Sequence, residues 1–265
     1  MMSGNASKTA VITGASSPFG EAYARRLAER GYDLVLVGRN EGKIKNVAAS
    51  IAGHSDVEVL TLVADLGDEA QLVKVEERLR TDESLDLLVN AAGAATFAPS
   101  PGFDVNAINQ QVALNVTATT RLAVAALSGM TRRGQGTIVN ISSAMAFWIQ
   151  PVSSVYSATK SYVLTFSQAL QQELSGTGVR VQVVLPGAMS TGFWEGSGVE
   201  LSNFPAGNVM TPEDAVDAAL AGLDAGEDVT IPSLADVAAW NAYEEARDAV
   251  APIMSRDVPA ERYRA

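Results

Sequence analysis

Short, continuously apolar runs alternate with helix-patterned segments along nearly the whole chain. That alternation limits the possible folds more than any other feature. Thr9–Thr13, Leu34–Val37, Val57–Val63, Leu85–Val89, Thr137–Ile141 and Val179–Leu185 read as strands. The run Leu34-Val35-Leu36-Val37 has no polar side, as expected of a strand covered on both faces. Between these runs, Glu21–Arg30, Lys43–Ala52, Asp68–Arg80, Val105–Met130 and Ser154–Leu174 predict helices. Thr211-Pro212-Glu213-Asp214 opens a further helix with a threonine cap, a proline and two acids. Val229–Ile231 predicts a last strand, followed by a helical tail. Strand–helix–strand repeats close as right-handed crossovers, so the expected fold class is α/β: a doubly wound parallel sheet of about seven strands with helices on both faces. No repeat or linker divides the 265 residues, which are expected to form one domain.

Composition removes whole classes of function. Apolar residues make up 47% and charged residues 18%, the reverse of a disordered tail. The net charge of -11 with no basic stripe argues against nucleic acid and against docking on an anionic membrane. There is no cysteine, so disulfides and thiolate metal sites are excluded. The single histidine, His54, lies in a Gly-His-Ser-Asp turn with no partner ligands nearby, so neither a metal site nor a histidine-dependent triad is expected. No uninterrupted apolar run approaches the ~18 residues of a membrane span. Met1–Thr9 resembles neither a signal nor a transit peptide, and a cytoplasmic setting is expected.

In such sheets ligands bind beyond the carboxyl ends of the strands, so chemistry is sought there. After the first strand, Thr13-Gly14-Ala15-Ser16-Ser17-Pro18-Phe19-Gly20 opens a helix. Glycine there lets the backbone bend and approach a pyrophosphate at the helix N-terminus, although a plain tight turn looks the same. After the second, Gly38-Arg39-Asn40 lacks the acid that holds a ribose 2′-hydroxyl. A guanidinium in its place suits a 2′-phosphate, with Ser16 and Asn40 as helpers. Asp65 follows the third strand and could accept from an adenine amino group, and Asn90-Ala91-Ala92-Gly93 follows the fourth with room for a flat ring.

The fifth strand ends at Ser142-Ser143, and Tyr156 and Lys160 follow at i and i+4 of a helix, on one face. An ordinary tyrosine titrates near about 10. A neighbouring ammonium favours phenolate and lowers that value, making Tyr156 a candidate acid–base. Ser143 would bond the same substrate oxygen. Tyr162, with Phe166 four residues on, has no such helper. Asn115, mid-helix, holds a kink or a water beside Lys160, or simply faces solvent. After the sixth strand, Pro186-Gly187-Ala188-Met189-Ser190-Thr191 leads into a Gly-rich segment expected to be a substrate lid around 188–210.

The order and spacing of these segments over residues 8–195 resemble the short-chain dehydrogenase/reductase family: its T-G-x-x-x-G-x-G turn, N-[NA]-A-G loop, helix asparagine, S-x13-Y-x3-K and P-G-x-x-x-T. The resemblance implies a Rossmann-like sheet in the order 3-2-1-4-5-6-7. It implies Tyr156 as acid/base, Ser143 as the carbonyl's orienting group, Lys160 on the tyrosine and the nicotinamide ribose, and Asn115 behind a water relay. It implies Gly14, Ser16, Phe19, Arg39, Asp65, Asn90, Gly93 and Thr191, with Tyr156 and Lys160, as contacts of NADP(H), and a homodimer or homotetramer built on the two long helices. Pro18 stands where the motif has its middle glycine, and Ala91, Ala146 and Met189 are lesser departures.

The activity so implied is an NADPH-dependent reductase moving hydride between nicotinamide and a carbonyl or secondary alcohol of a small apolar molecule. Phe97, Met145, Trp148, Ile149, Val152, Met189, Phe193 and Trp194 are its candidate pocket residues. The alternatives are a non-catalytic NADP-binding regulator on the same fold, which would not need Tyr156 or Lys160, and a sugar-nucleotide epimerase, which would need glycine at Ser17.

Overall fold

In the computed structural model, which describes residues 8–264, the apolar runs become the centre of one parallel sheet. The strands are β1 (Thr9–Thr13), β2 (Asp33–Gly38), β3 (Val59–Val63), β4 (Leu85–Asn90), β5 (Gly136–Ile141) and β6 (Val179–Val184). A short pair, β7 (Ala188–Met189) and β8 (Val209–Met210), stands apart, and β9 (Val229–Thr230) completes the main sheet. The order is β3-β2-β1-β4-β5-β6-β9, parallel throughout. The winding therefore reverses between β1 and β4, which opens a crevice at their carboxyl ends. Every residue of β1 is buried, because helices cover both its faces.

Helices α1 (Pro18–Glu29), α2 (Glu41–Ala52) and α7 (Pro212–Ala225) supply one apolar layer, with Tyr23, Leu27, Ile44 and Leu220 at its heart. On the other face lie α3 (Glu69–Thr81), α4 (Val105–Val112), α5 (Thr119–Arg133) and α6 (Ser154–Glu173). Leu72, Leu79, Leu122, Met130 and Leu170 form that second layer. Residues Ala113–Ala118 join α4 to α5 as one turn of π-helix, so the long helix expected over 105–130 is continuous but underwound at Asn115. The span Val105–Arg133 is long and apolar enough to cross a membrane, although no unbroken apolar run suggests it. Here it packs on α3, β4 and β5 as a core helix.

Contacts divide the chain into one unit ending at Pro232 and a second beginning at Ser233. The second carries α8 (Ala238–Val250), where Trp240 and Tyr243 lie 5.2 Å apart.

Candidate active site

The turn after β1 is fixed by local chemistry. Ser17 caps α1, accepting from the Gly20 N–H at 3.1 Å and donating to the Gly14 carbonyl at 2.8 Å. Pro18 occupies the first helical position, where its lack of an N–H costs the helix nothing. Gly14 has φ +67°, and a Cβ there would stand 2.9 Å from the Ala92 backbone; one on Gly20 would stand 2.3 Å from the Gly14 carbonyl oxygen. The Thr13 hydroxyl accepts from the Ala92 N–H at 3.1 Å, tying this turn to the loop after β4. The Phe19 ring is buried edge-on to Tyr23, and its backbone N–H, at the helix N-terminus, meets no backbone acceptor among the described residues. Arg39 is exposed at the end of β2 and makes no ion pair among the described residues. A Cβ on Gly38 would lie 3.4 Å from the Ser16 hydroxyl, so Ser16 and the β2 end are neighbours. Asn40 caps α2 through its side-chain oxygen, bonded by the Lys43 N–H at 2.9 Å. Asp65, exposed, spends one oxygen on the Gly67 N–H at 2.9 Å.

The side chains after β4 and β5 are buried. Asn90 is turned sideways, its amide donating to Asn140 at 3.0 Å while its own oxygen has no protein partner. Asn115 is 1% exposed, which removes the solvent-facing alternative. It accepts from the Ala94 N–H, donates back to the Ala94 carbonyl, both at 2.9 Å, and donates to the Thr159 hydroxyl at 3.0 Å. Lys160 is pinned at both ends to the exit of β5. Its ammonium donates to the Ile141 carbonyl at 2.9 Å, and its own carbonyl accepts from the Ser142 hydroxyl at 2.7 Å. The ammonium lies 5.8 Å from the Tyr156 ring centroid. A Cβ on Gly93 would stand 3.6 Å from it, so the exposed Gly93 backbone forms the other wall of that space.

Tyr156 departs from the sequence expectation in its electrostatics. Burial pushes its phenol up to about 12, and contact with the Ser143 hydroxyl only partly opposes this. Burial also pulls Lys160 down to about 8. Spacing alone suggested a phenolate favoured by an ammonium; desolvation of both groups outweighs that attraction. Ser143 caps the short turn Ala144–Ala146 by accepting from the Met145 N–H at 3.2 Å.

Rings cover this pair. Phe97 lies 5.2 Å from Tyr156 and Phe193 5.9 Å from it, and Trp194 stacks on Phe97. Thr191 caps the turn carrying Phe193 and Trp194, accepting from the Phe193 N–H at 3.3 Å. Trp148 and Ile149 point outward, 60% and 74% exposed. Val152 holds φ 60°, strained for a β-branched residue, while its carbonyl accepts from the Ala98 N–H at 3.0 Å. Sequence reasoning missed Thr159, whose role depends on a long-range contact, and Phe204, 4.8 Å from Trp194, which its place in the segment expected to be a lid could have suggested.

Comparison with known proteins identifies the family. The model of the short chain dehydrogenase family matches residues 8–200. The chain belongs to the short-chain dehydrogenase/reductase family. It is thus an oxidoreductase of a family that uses NAD(P)(H). An uncharacterized oxidoreductase of Staphylococcus aureus is 37% identical over 69% of this chain and 79% of its own. The fold of this dehydrogenase/reductase is closely similar to a short-chain dehydrogenase from Sphingobium yanoikuyae in complex with NADPH (TM-score 0.93, 42% identity, 97% and 100% of the two chains). It is also similar to the bulky-bulky ketone specific alcohol dehydrogenase of Comamonas testosteroni (TM-score 0.89, 38% identity, 97% and 98%).

The residues present fit a dinucleotide. The Phe19 N–H is open at the N-terminus of α1, a ready anion site. Among the described residues the buried Lys160 ammonium gives one of its three donors to protein, and the Gly93 backbone lies beside it. A buried ammonium with spare donors is costly unless a ligand oxygen meets it.

Proposed function

We propose that the protein is an NADPH-dependent ketone reductase, reversible as an alcohol dehydrogenase, acting on bulky apolar carbonyl compounds in the cytoplasm as a homo-oligomer. The observation that carries the reaction is the buried Ser143–Tyr156–Lys160 cluster. Arg39, exposed at the end of β2 and without an ion-pair partner among the described residues, carries the choice of NADPH over NADH, since a fork of donors grips a 2′-phosphate. Bound there, NADPH would supply the hydride.

This chain's own residues do the rest. The Ser143 and Tyr156 hydroxyls bond the substrate carbonyl oxygen, orienting its carbon and stabilising the negative charge that grows on the oxygen. Tyr156 then gives up its proton to that oxygen. Its pKa near about 12 keeps the phenol protonated, the form that reduction needs. The two spare Lys160 donors would hold the nicotinamide ribose. Asn115, locked on Ala94 and Thr159, keeps the π turn beside Lys160 in place. Phe97, Phe193 and Trp194 exclude water and favour apolar substituents.

The apolar groove between the long helices, lined by Ile108, Val112, Val116, Val155 and Tyr162, supports self-association. Val112 and Tyr162 are each 40% exposed there.

The deciding experiment follows NADPH absorbance across a panel of aliphatic and aryl ketones. Saturable oxidation of NADPH with at least one bulky ketone, and much weaker use of NADH, is the expected result. No turnover with any ketone would overturn the reading.

A further inference from the structure

Tyr156 is 6% exposed and Ser143 8%, so the hydroxyls that must reach a substrate oxygen are covered. Their cover is aromatic and of two kinds. Phe97 is fixed: it is 7% exposed, and its N–H donates to the Ser197 carbonyl at 2.6 Å. A Cβ on Gly198 would stand 2.4 Å from the Phe97 carbonyl oxygen, so only glycine lets the lid lie this close. Phe193 and Trp194 sit instead on one short turn of the lid, each partly exposed.

The lid is tied down at its ends. Ala188 pairs with Val209 and Met189 with Met210. Between those ties, the Trp194 carbonyl accepts from the Ser197 N–H at 3.1 Å, which links its backbone to Phe97, while its side chain is held by the indole N–H on the Met189 carbonyl at 2.8 Å and by neighbouring rings. Its plane lies 17° from that of Phe97 with centroids 6.2 Å apart, whereas it meets Phe193 edge-on at 89°. Phe204 backs it from the other side at 4.8 Å. Two nearly parallel rings, one fixed and one on a lid, are the two jaws of a clamp, and a swing of the Trp194 side chain by one ring thickness, displacing Phe204 behind it, would admit one flat ring between them.

We propose that Phe97 and Trp194 clamp a planar aryl substituent of the ketone, with Trp194 as the moving jaw, so that the site selects aryl ketones over saturated ketones of the same shape. This rests on the ketone-reductase reading above and names its substrate class. Opening the jaw breaks the Trp194–Phe97 stack. An aryl group restores a stacked contact on each face, while a cyclohexyl group restores only apolar area. Simple burial would favour the cyclohexyl compound, which is the more apolar, so the sign of the preference separates a clamp from a greasy pocket.

The experiment has two arms. In a Trp148→Phe, Trp240→Phe background, Trp194 fluorescence is titrated with diphenylmethanol and with dicyclohexylmethanol. The expected result is a saturable change in Trp194 emission and binding of diphenylmethanol tighter by about tenfold. In the second arm, KM for benzophenone and dicyclohexyl ketone is measured with NADPH in the wild type, Trp194→Ala and Trp194→Phe. Trp194→Ala should shrink the aryl preference in KM by about tenfold, and Trp194→Phe should keep most of it. Equal or tighter binding of the saturated alcohol overturns the clamp, as does an aryl preference untouched in Trp194→Ala. If no ketone turns over but diphenylmethanol still binds preferentially and perturbs Trp194, the reductase reading falls and the clamp stands. If Trp194→Ala fails to fold, the fluorescence arm, which retains Trp194, decides alone.

Discussion

The two sides of the crevice are held in different ways. Around Lys160 every group is tied by hydrogen bonds to a neighbouring element: the ammonium to Ile141, the Lys160 carbonyl to Ser142, Asn115 to Ala94 and Thr159. Around Trp194 the backbone is tied through Ser197 to Phe97, but the indole itself is held by rings and a single hydrogen bond, above a two-residue strand pair. Proton transfer needs its groups held to within a fraction of an ångström, and directional bonds do that. Recognition of a variable apolar group needs a surface that can part and close again, and non-directional stacking allows it. A substitution on the first side should therefore act on turnover, and one on the second on KM and selectivity.

The largest expected effect tests the tied side. Tyr156→Phe should keep its fold and its NADPH binding while turnover falls by at least about 10²-fold, because the proton donor is gone. Stopped assays beside calorimetric NADPH titration check both halves; wild-type turnover in a folded Tyr156→Phe would break the comparison. Lys160 offers a second test through pH. Its folded value of about 8 lies below the ordinary 10.5, so the folded state releases this proton first. Between those values the unfolded chain binds more protons, and this group's contribution to stability rises with pH. Below pH 8 the buried charge costs up to roughly 3 kcal/mol. Lys160→Met should thus gain on the wild type at neutral pH, and the gain should shrink as pH rises above 8. Urea melts across that window measure it, and a constant difference would mean that the ammonium is not desolvated.

Arg39 tests the cofactor's far end, where the guanidinium is free. Arg39→Asp should weaken NADPH far more than NADH, since a carboxylate would face the 2′-phosphate. Loss of the charged hydrogen bond alone is about 1.5–3 kcal/mol. Equal affinity of the wild type for the two cofactors, read by titration calorimetry, would remove Arg39 from that role.

How far the sequence could be read follows the same division. The parallel strands and both helical layers were legible because strands buried on both faces carry no polar residue, as in Leu34–Val37, whereas the strand order followed only from the family resemblance. Tyr156 and Lys160 were legible because i and i+4 share a helix face. The start of α1 fell at Pro18 rather than Glu21, although its signals, a serine followed by proline, were present. What could not be read depends on distant contacts or on burial. The β7–β8 pair joins two-residue segments about twenty positions apart in sequence. The π turn at Asn115 has no propensity signature, and the raised phenol of Tyr156 reflects desolvation that spacing does not report.

The smallest expected effect lies at Pro18, where the family motif has glycine. The helix itself does not need the missing N–H, because Ser17 already caps it and the proline ring suits the first helical position. Ser17 sends its own N–H to the Gly14 carbonyl, and Gly20 sends its N–H to the Ser17 hydroxyl. Of the donors at this helix start, the Phe19 N–H remains open, and a glycine at 18 would add a second beside it. Pro18 is exposed, so the replacement leaves no cavity. Pro18→Gly should therefore tighten NADPH by about 1 kcal/mol, the scale of one hydrogen bond. It should also cost some stability, because the unfolded chain gains freedom. Calorimetric titration with melts of both proteins separates the two effects. Unchanged or weaker NADPH binding in Pro18→Gly would mean that the pyrophosphate makes no use of that position, and that the proline serves only to start α1.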